Sequence, residues 1–154
     1  MKFLFLLALF QCAAGVCMQL DRFDGKKLVL SDEEWKIRLT AEQYQVLRKE
    51  ATECAFANPF FDRKEQGVYF CAGCNLPLFA SDHKYESETG WPSFNQPVYP
   101  ENVEYRVDRS HDMVRIEVRC SRCGGHLGHA FPDGPPPTGV RYCMNSAAMK
   151  FSPK

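Results

Sequence analysis

The sequence predicts an α+β domain, a mainly antiparallel β core with short helices on its N-terminal side. Three observations carry that expectation. Two capping boxes stand close together early in the chain, Ser31 with Glu34 and Thr40 with Gln43. After them the pattern changes to short runs of β-branched and aromatic residues between turn residues. Two CxxC turns, Cys71–Cys74 and Cys120–Cys123, are set 45 residues apart and tie early strands to late ones.

Each element follows from its own residues. In "SDEEWKIRL" the capping box predicts a short helix over 32–38, and in "TAEQYQVLRKE" a longer one over 41–50. "ATECAFANPFFDRKEQ" reads as a mobile loop interrupted at Asn58-Pro59. "GVYFC" (67–71) and "PLFA" (77–80) are strands on either side of the first CxxC turn. "SETGWPSFNQPVYPEN" is rich in Gly and Pro but carries Trp91, Phe94 and Tyr99, and a loop with large aromatics is packed or functional. "VEYRVD" and "MVRIEVRC" flank "RSHD" as a hairpin. Val114, Ile116 and Val118 alternate there with Arg115, Glu117 and Arg119, which predicts one buried face. "FPDGPPPTG" is a rigid connection into the last strand, "VRYCMNSA".

The chain has 154 residues, enough for one domain with a substantial core. Lys+Arg and Asp+Glu are both 19, so the formal charge is zero and nothing favours binding to nucleic-acid phosphates. Twelve Phe and six Tyr point to an aromatic core. The opening "MKFLFLLALFQCAAGVC" runs basic, apolar, small, which is the order of a secretory signal. Its apolar run is shorter than the roughly 20 residues of a bilayer-spanning helix. Residues 1–17 are therefore expected to be a leader, with residues 18–154 the exported domain, periplasmic or secreted. The alternative is a membrane anchor, uncleaved or lipid-modified at Cys17. A monomer without stable membrane association is the default expectation for the domain.

Of eight cysteines, Cys12 and Cys17 fall in the leader segment. Cys71, Cys74, Cys120 and Cys123 have the spacing of a tetrahedral thiolate site for zinc, or for another such metal as iron. Four thiolates close the coordination shell, so the site is structural. Two strained local disulfides or a dithiol redox motif would lack the thioredoxin context. A local Cys2His2 set of Cys120, Cys123, His126 and His129 is too cramped, and it orphans Cys71 and Cys74. A zinc deaminase needs an H-x-E that the chain does not have.

Cys143 stands apart. In a strand, Arg141, Cys143 and Asn145 project on one side. A nearby guanidinium favours the nucleophilic thiolate, and the Asn145 amide can donate to a substrate oxygen. His126 and His129 are candidate proton donors, and Asp133 can either orient one of them or pair with Arg141. On local pattern alone a buried structural role is the commoner fate of such a single cysteine. The chain would then be a zinc-braced binding module.

"GWPSF" (90–94), "HLGHAFPDGPPPTGVRYCMNSAAM" (126–149) and the two CxxC pairs resemble the type B methionine-R-sulfoxide reductases across roughly residues 31–152. The resemblance implies two antiparallel sheets with peripheral helices. It also implies one structural zinc and reduction of methionine-R-sulfoxide, preferentially the protein-bound form. Cys143 is similar to the family's catalytic cysteine, which becomes a sulfenic acid. His126, His129 and Asn145 match polar residues around the substrate oxygen, Arg141 and Asp133 a supporting pair, and Trp91 the wall that receives the substrate methyl group. Phe131 is a further candidate contact. Where many members carry a resolving cysteine before the Gly-Trp, this chain has Thr89. That leaves Cys54 as the candidate resolving thiol, or a direct attack on the sulfenic acid by the reductant. An exported enzyme needs an exported thiol donor, for which a thioredoxin-like protein is expected.

Overall fold

The computed structural model describes residues 20–154, so the leader predicted over 1–17 lies outside the described residues. Two helices come first, α1 (Asp32–Arg38) and α2 (Ala41–Lys49). Both capping boxes form. The Ser31 hydroxyl accepts from the Glu34 amide while the Glu34 carboxylate accepts from the Ser31 amide, and Thr40 and Gln43 repeat the exchange. Each exchange satisfies two amide donors that a helix start leaves open. At the far end of α2, Glu50 takes a left-handed conformation (φ 59°), stopping the helix one residue earlier than predicted.

Nine strands follow. They are β1 (Gly67–Cys71), β2 (Pro77–Ala80), β3 (Lys84–Tyr85), β4 (Ser93–Phe94), β5 (Val103–Asp108), β6 (Arg115–Cys120), β7 (His126–Phe131), β8 (Arg141–Met144) and β9 (Met149–Pro153). They form two antiparallel sheets, ordered β2-β1-β9 and β3-β4-β8-β7-β6-β5. The predicted class, α+β with a mainly antiparallel core in two sheets, is the observed one. The core is aromatic: Tyr69, Phe79 and Phe94 are fully buried, with Phe79 stacked on Phe94 at 4.5 Å and Tyr69 edge-on to Phe94 at 5.0 Å. Among the described residues no helix is long and apolar enough to cross a membrane.

The helices lean on the two CxxC turns. Trp35 packs on the first, where Arg38 Nε donates to the Gly73 carbonyl at 2.6 Å. Arg48 donates to the Cys123 carbonyl at 3.0 Å. A Cβ at Gly125 would stand 2.8 Å from the Leu47 side chain of α2, so this helix lies directly against the second turn.

The β5–β6 hairpin corrects one expectation. Val118 is fully buried, but Ile116 is 40% exposed and Val114 70%, whereas Glu117 is 1% exposed. The buried end of the apolar face is the end near Cys120, where Val103 and Val118 sit in the core. Beyond it Tyr105, Val107 and Ile116 emerge into solvent. The face carrying Arg115, Glu117 and Arg119 is not a solvated one. It is the face that builds the site.

Candidate active site

The site lies on the face of the six-stranded sheet that carries Glu117 and Cys143. Antiparallel register places Glu117 opposite His129, and His129 opposite Cys143, so the three share one side of adjacent strands. His126 and His129 are three residues apart, a spacing that would put them on opposite faces of a regular strand. A register shift between Val118 and Arg119 pairs Arg119 with His126 and leaves Leu127 as the extra residue of β7. This bulge turns both histidines to the same side, their ring centroids 5.3 Å apart, and sends Leu127 into the core. Gly128 sits beneath Cys143 with φ 156°, and a Cβ there would meet the Cys143 carbonyl oxygen at 2.1 Å. The tight β7–β8 contact therefore requires glycine.

A half-open cavity of about 130 Å³ is lined by Thr52, Trp91, Arg115, His129, Phe131 and Cys143, with Gly128, Met144 and Asn145. Burial pushes the Cys143 thiol up from its ordinary value. The Arg141 charge and hydrogen bonding by the Thr89 hydroxyl act against that. Arg141 is held by a two-pronged ion pair to Asp133, both contacts 2.9 Å, and lies over the Phe131 ring at 4.5 Å. Of the two partners expected for Asp133, the structure therefore gives it Arg141.

His129 takes a different carboxylate: its Nε2 is 2.8 Å from Asp108 Oδ2, which also accepts from Arg115 at 2.7 Å. Hydrogen bonds from Ser110, then from His129 and Arg115, hold Asp108 well below the usual carboxylate range. Burial pushes the His129 imidazole down, opposed by Asp108. His126 lies behind this layer, 2% exposed, with Nδ1 2.7 Å from Glu117 Oε1. It does not line the cavity.

Asn145 follows β8 and is 2% exposed. Its Nδ2 donates to the Leu127 carbonyl at 3.1 Å and its Oδ1 accepts from the Glu53 amide at 3.1 Å. Residue 53, in the loop expected to be mobile from residue 51 on, is in fact fastened to the site. The Glu53 carboxylate accepts from the amides of Ser146 and Ala147 at 2.5 and 2.8 Å, and the Glu53 carbonyl accepts from Trp91 Nε1 at 3.1 Å. Cys54, next in sequence, is exposed and free, and its carbonyl accepts from Asn58.

Sequence reasoning does not reach Thr52, Glu53, Asp108, Arg115 and Glu117 as parts of this site, and reaches Thr89 only as the residue at the resolving-cysteine position. Glu117 and Arg115 leave a trace as charges on the alternating strand, opposite the face expected to be buried.

The four CxxC thiols converge as expected: all are buried, and their sulfurs lie within 4.8 Å of one another. The closest pairs are Cys71–Cys123 at 3.6 Å and Cys74–Cys120 at 3.4 Å. A tetrahedral ion with metal–sulfur bonds of about 2.3 Å sets its ligands about 3.8 Å apart, so the cluster fits a metal ion. Hydrogen bonding among the thiols pushes Cys71 and Cys120 upward and Cys74 and Cys123 downward.

Comparison with known proteins agrees with this architecture. The SelR domain family matches residues 39–153. The peptide methionine sulfoxide reductase MsrB of Leptospira interrogans (serogroup Icterohaemorrhagiae, serovar Lai) is 56% identical over 121 residues, which are 79% of this chain and 92% of that protein. The protein of the same name from Agrobacterium fabrum is 52% identical over 127 residues, 82% of this chain and 94% of its own length. That of Methanosarcina barkeri is 54% identical over 126 residues, 82% of this chain and 89% of its own. With the cavity, the thiol cluster and this similarity in agreement, the chain belongs to the SelR domain family.

Proposed function

We propose that this protein reduces the R epimer of methionine sulfoxide, chiefly in oxidised proteins, to methionine. One observation carries the reading: Cys143 lies in a small cavity opposite His129, with Trp91 and Phe131 supplying apolar wall and Arg115, His129 and Asn145 supplying polar groups. A sulfoxide is chiral at sulfur, so a site that receives the methyl group on one side and the oxygen on the other accepts one epimer. The Cys143 thiolate attacks the substrate sulfur and a proton reaches the oxygen. The oxygen passes to Cys143 as sulfenic acid, and the thioether leaves. Arg141, fixed by Asp133, favours the thiolate.

Zinc is the metal we assign to Cys71, Cys74, Cys120 and Cys123. Four thiolates leave no open coordination position, so its role is to brace the β1–β2 turn against the β6–β7 turn. The sulfenic acid is returned to thiol by an external donor, a thioredoxin-like protein, by way of a Cys54–Cys143 disulfide. The leader directs the domain out of the cytosol, so this donor is itself exported.

The test is turnover of a peptide carrying the separate R and S sulfoxides. The wild-type protein is expected to consume only the R epimer, and Cys143→Ser neither, with fold and zinc content preserved. Activity in Cys143→Ser, or equal use of both epimers, would overturn the reading.

A further inference from the structure

Arg115 opens β6 and lines the cavity together with Cys143, His129 and Phe131. Its Nη2 donates to Asp108 Oδ2 at 2.7 Å and to Ser110 Oγ at 3.2 Å. Both bonds use the same nitrogen, and Nε is buried with no hydrogen-bond partner. A guanidinium is a fork of N–H donors, and one placed only to brace a hairpin would turn more of them onto the protein. The side chain keeps 21% of its surface exposed.

The sheet sets how far this group stands from the reacting sulfur. Cys143, His129 and Glu117 form one row across β8, β7 and β6. Arg115 precedes Glu117 by two residues and shares its face, at the level where Phe131 pairs with Arg141. Successive rows on one face are about 7 Å apart along the strands. In the opposite direction Asn145 is 2% exposed, which closes that end of the cavity. In a methionine residue with an extended side chain, the main-chain carbonyl oxygen lies about 5 Å from the sulfur. With the sulfoxide sulfur at Cys143 and its methyl group on Trp91, the residue's own carbonyl comes to the row of Arg115 and Phe131. The sulfoxide oxygen stays in the row of Cys143 and His129.

Charge narrows the ligand further. Arg115 is matched by Asp108, and Arg141 by Asp133 through two bonds of 2.9 Å. Both cations at this end of the cavity are thus neutralised by the protein, and they present donors without net charge. That suits an uncharged acceptor, the carbonyl of a residue inside a polypeptide, better than the carboxylate of a free amino acid. We propose that Arg115 is a substrate-binding residue that donates to the main-chain carbonyl of the methionine sulfoxide residue, with Asp108 holding the guanidinium in place. This rests on the sulfoxide reductase reading above and adds to it the group that recognises the substrate's backbone.

The experiment uses the full zinc-loaded chain, wild type and Arg115→Met, with two R-sulfoxides. One is N-acetylmethionine sulfoxide N-methylamide. The other is N-acetyl-3-(methylsulfinyl)propylamine, the same molecule without its carboxamide. Single-turnover rates over a range of concentrations give an affinity for each, and a sulfoxide that is not turned over is scored as a competitor of the first. The wild type is expected to bind the first at least tenfold more tightly than the second, the usual size of a hydrogen bond to a charged donor. Arg115→Met is expected to bind the two within about twofold of each other. Loss of the Asp108 partner acts on both sulfoxides alike, so it cancels in the ratio. A wild type that binds both equally overturns the proposal, and that measurement decides it even if the variant does not fold. A folded variant that keeps the wild-type ratio overturns the role of Arg115. A wild type inert toward the R epimer of the first sulfoxide overturns the functional reading itself.

Discussion

His129 and Cys143 are direct partners across the β7–β8 ladder, and Asp108 holds the far side of the imidazole through Nε2 at 2.8 Å. Sheet register rather than a flexible loop therefore sets the geometry between thiol and histidine. Replacing His129 by Asn is expected to lower kcat about a hundredfold with little change in melting temperature, the usual size of a lost proton-transfer partner. Asp108→Asn should produce a smaller loss of the same kind. Steady-state kinetics with an R-sulfoxide peptide checks both.

The Cys143 thiol is pushed up by burial, and the thiolate is the reactive form. Raising the pH increases the thiolate fraction, so the single-turnover rate should climb through the alkaline range. Arg141 lowers the thiol's pKa, and removing its charge raises it. Arg141→Met should therefore move the rise to higher pH and slow the reaction at neutral pH. A rate–pH profile by rapid quench reads the shift, and an unmoved profile would show that Arg141 does not act on the thiol.

Helix α2 and the second CxxC turn are joined through Arg48 and the Leu47–Gly125 contact, so loss of the metal should loosen more than the thiol cluster. Chelation is expected to cost roughly 3 kcal/mol or more of stability, about 6–12 °C in Tm for a domain of this size. Calorimetry of the protein with and without stoichiometric zinc measures it. Coincident melts for the two forms would contradict a structural metal.

The Glu53 carboxylate accepts two backbone amides, from Ser146 and Ala147, just after strand β8. Glu53→Ala leaves both donors without this partner and should cost about 2 kcal/mol. It should also raise KM, because the carboxylate fastens a segment whose backbone carbonyl at Glu53 holds Trp91 and which carries Thr52 of the cavity wall. Denaturant unfolding and KM are the two readouts.

Cys54 is exposed and lies two residues beyond Thr52 of the cavity wall. If it resolves the sulfenic acid, Cys54→Ser should keep one full turnover and lose most of the turnover driven by a thioredoxin-like donor. Unimpaired multiple turnover would leave direct reduction of the sulfenic acid as the route.

The parts of this molecule that depend on local chemistry could be read from its residues. Both helices start where Ser31 and Thr40 cap them, and the CxxC spacing specified a four-thiol cluster that the fold assembles. Cys143, Trp91, His129, Phe131 and Asn145, which line the cavity, all stand in motifs visible in the sequence. What could not be read depends on which strand lies beside which. Asp108 and Glu117 become histidine partners only through the β5–β6–β7 register. The bulge that gives His126 and His129 a common face has no signature beyond the glycine that follows Leu127. The alternation along β6 was recognised, but its sign at Glu117 was not, because a charged strand face is ordinarily a wet one. The start of the loop at 51–54 reads as slack because the anchors of Glu53, namely Asn145, Ser146 and Ala147, lie more than ninety residues away.

The central claim is that one sulfur, that of Cys143, takes the oxygen while four others are engaged elsewhere. The most direct measurement is peptide mapping by mass spectrometry after a single turnover with R-sulfoxide and no reductant. The account expects one equivalent of thioether per chain, with the change confined to Cys143, either as sulfenic acid or as a disulfide to Cys54. Thioether formed with Cys143 unmodified, or oxygen found on a cysteine of the CxxC turns, would contradict it.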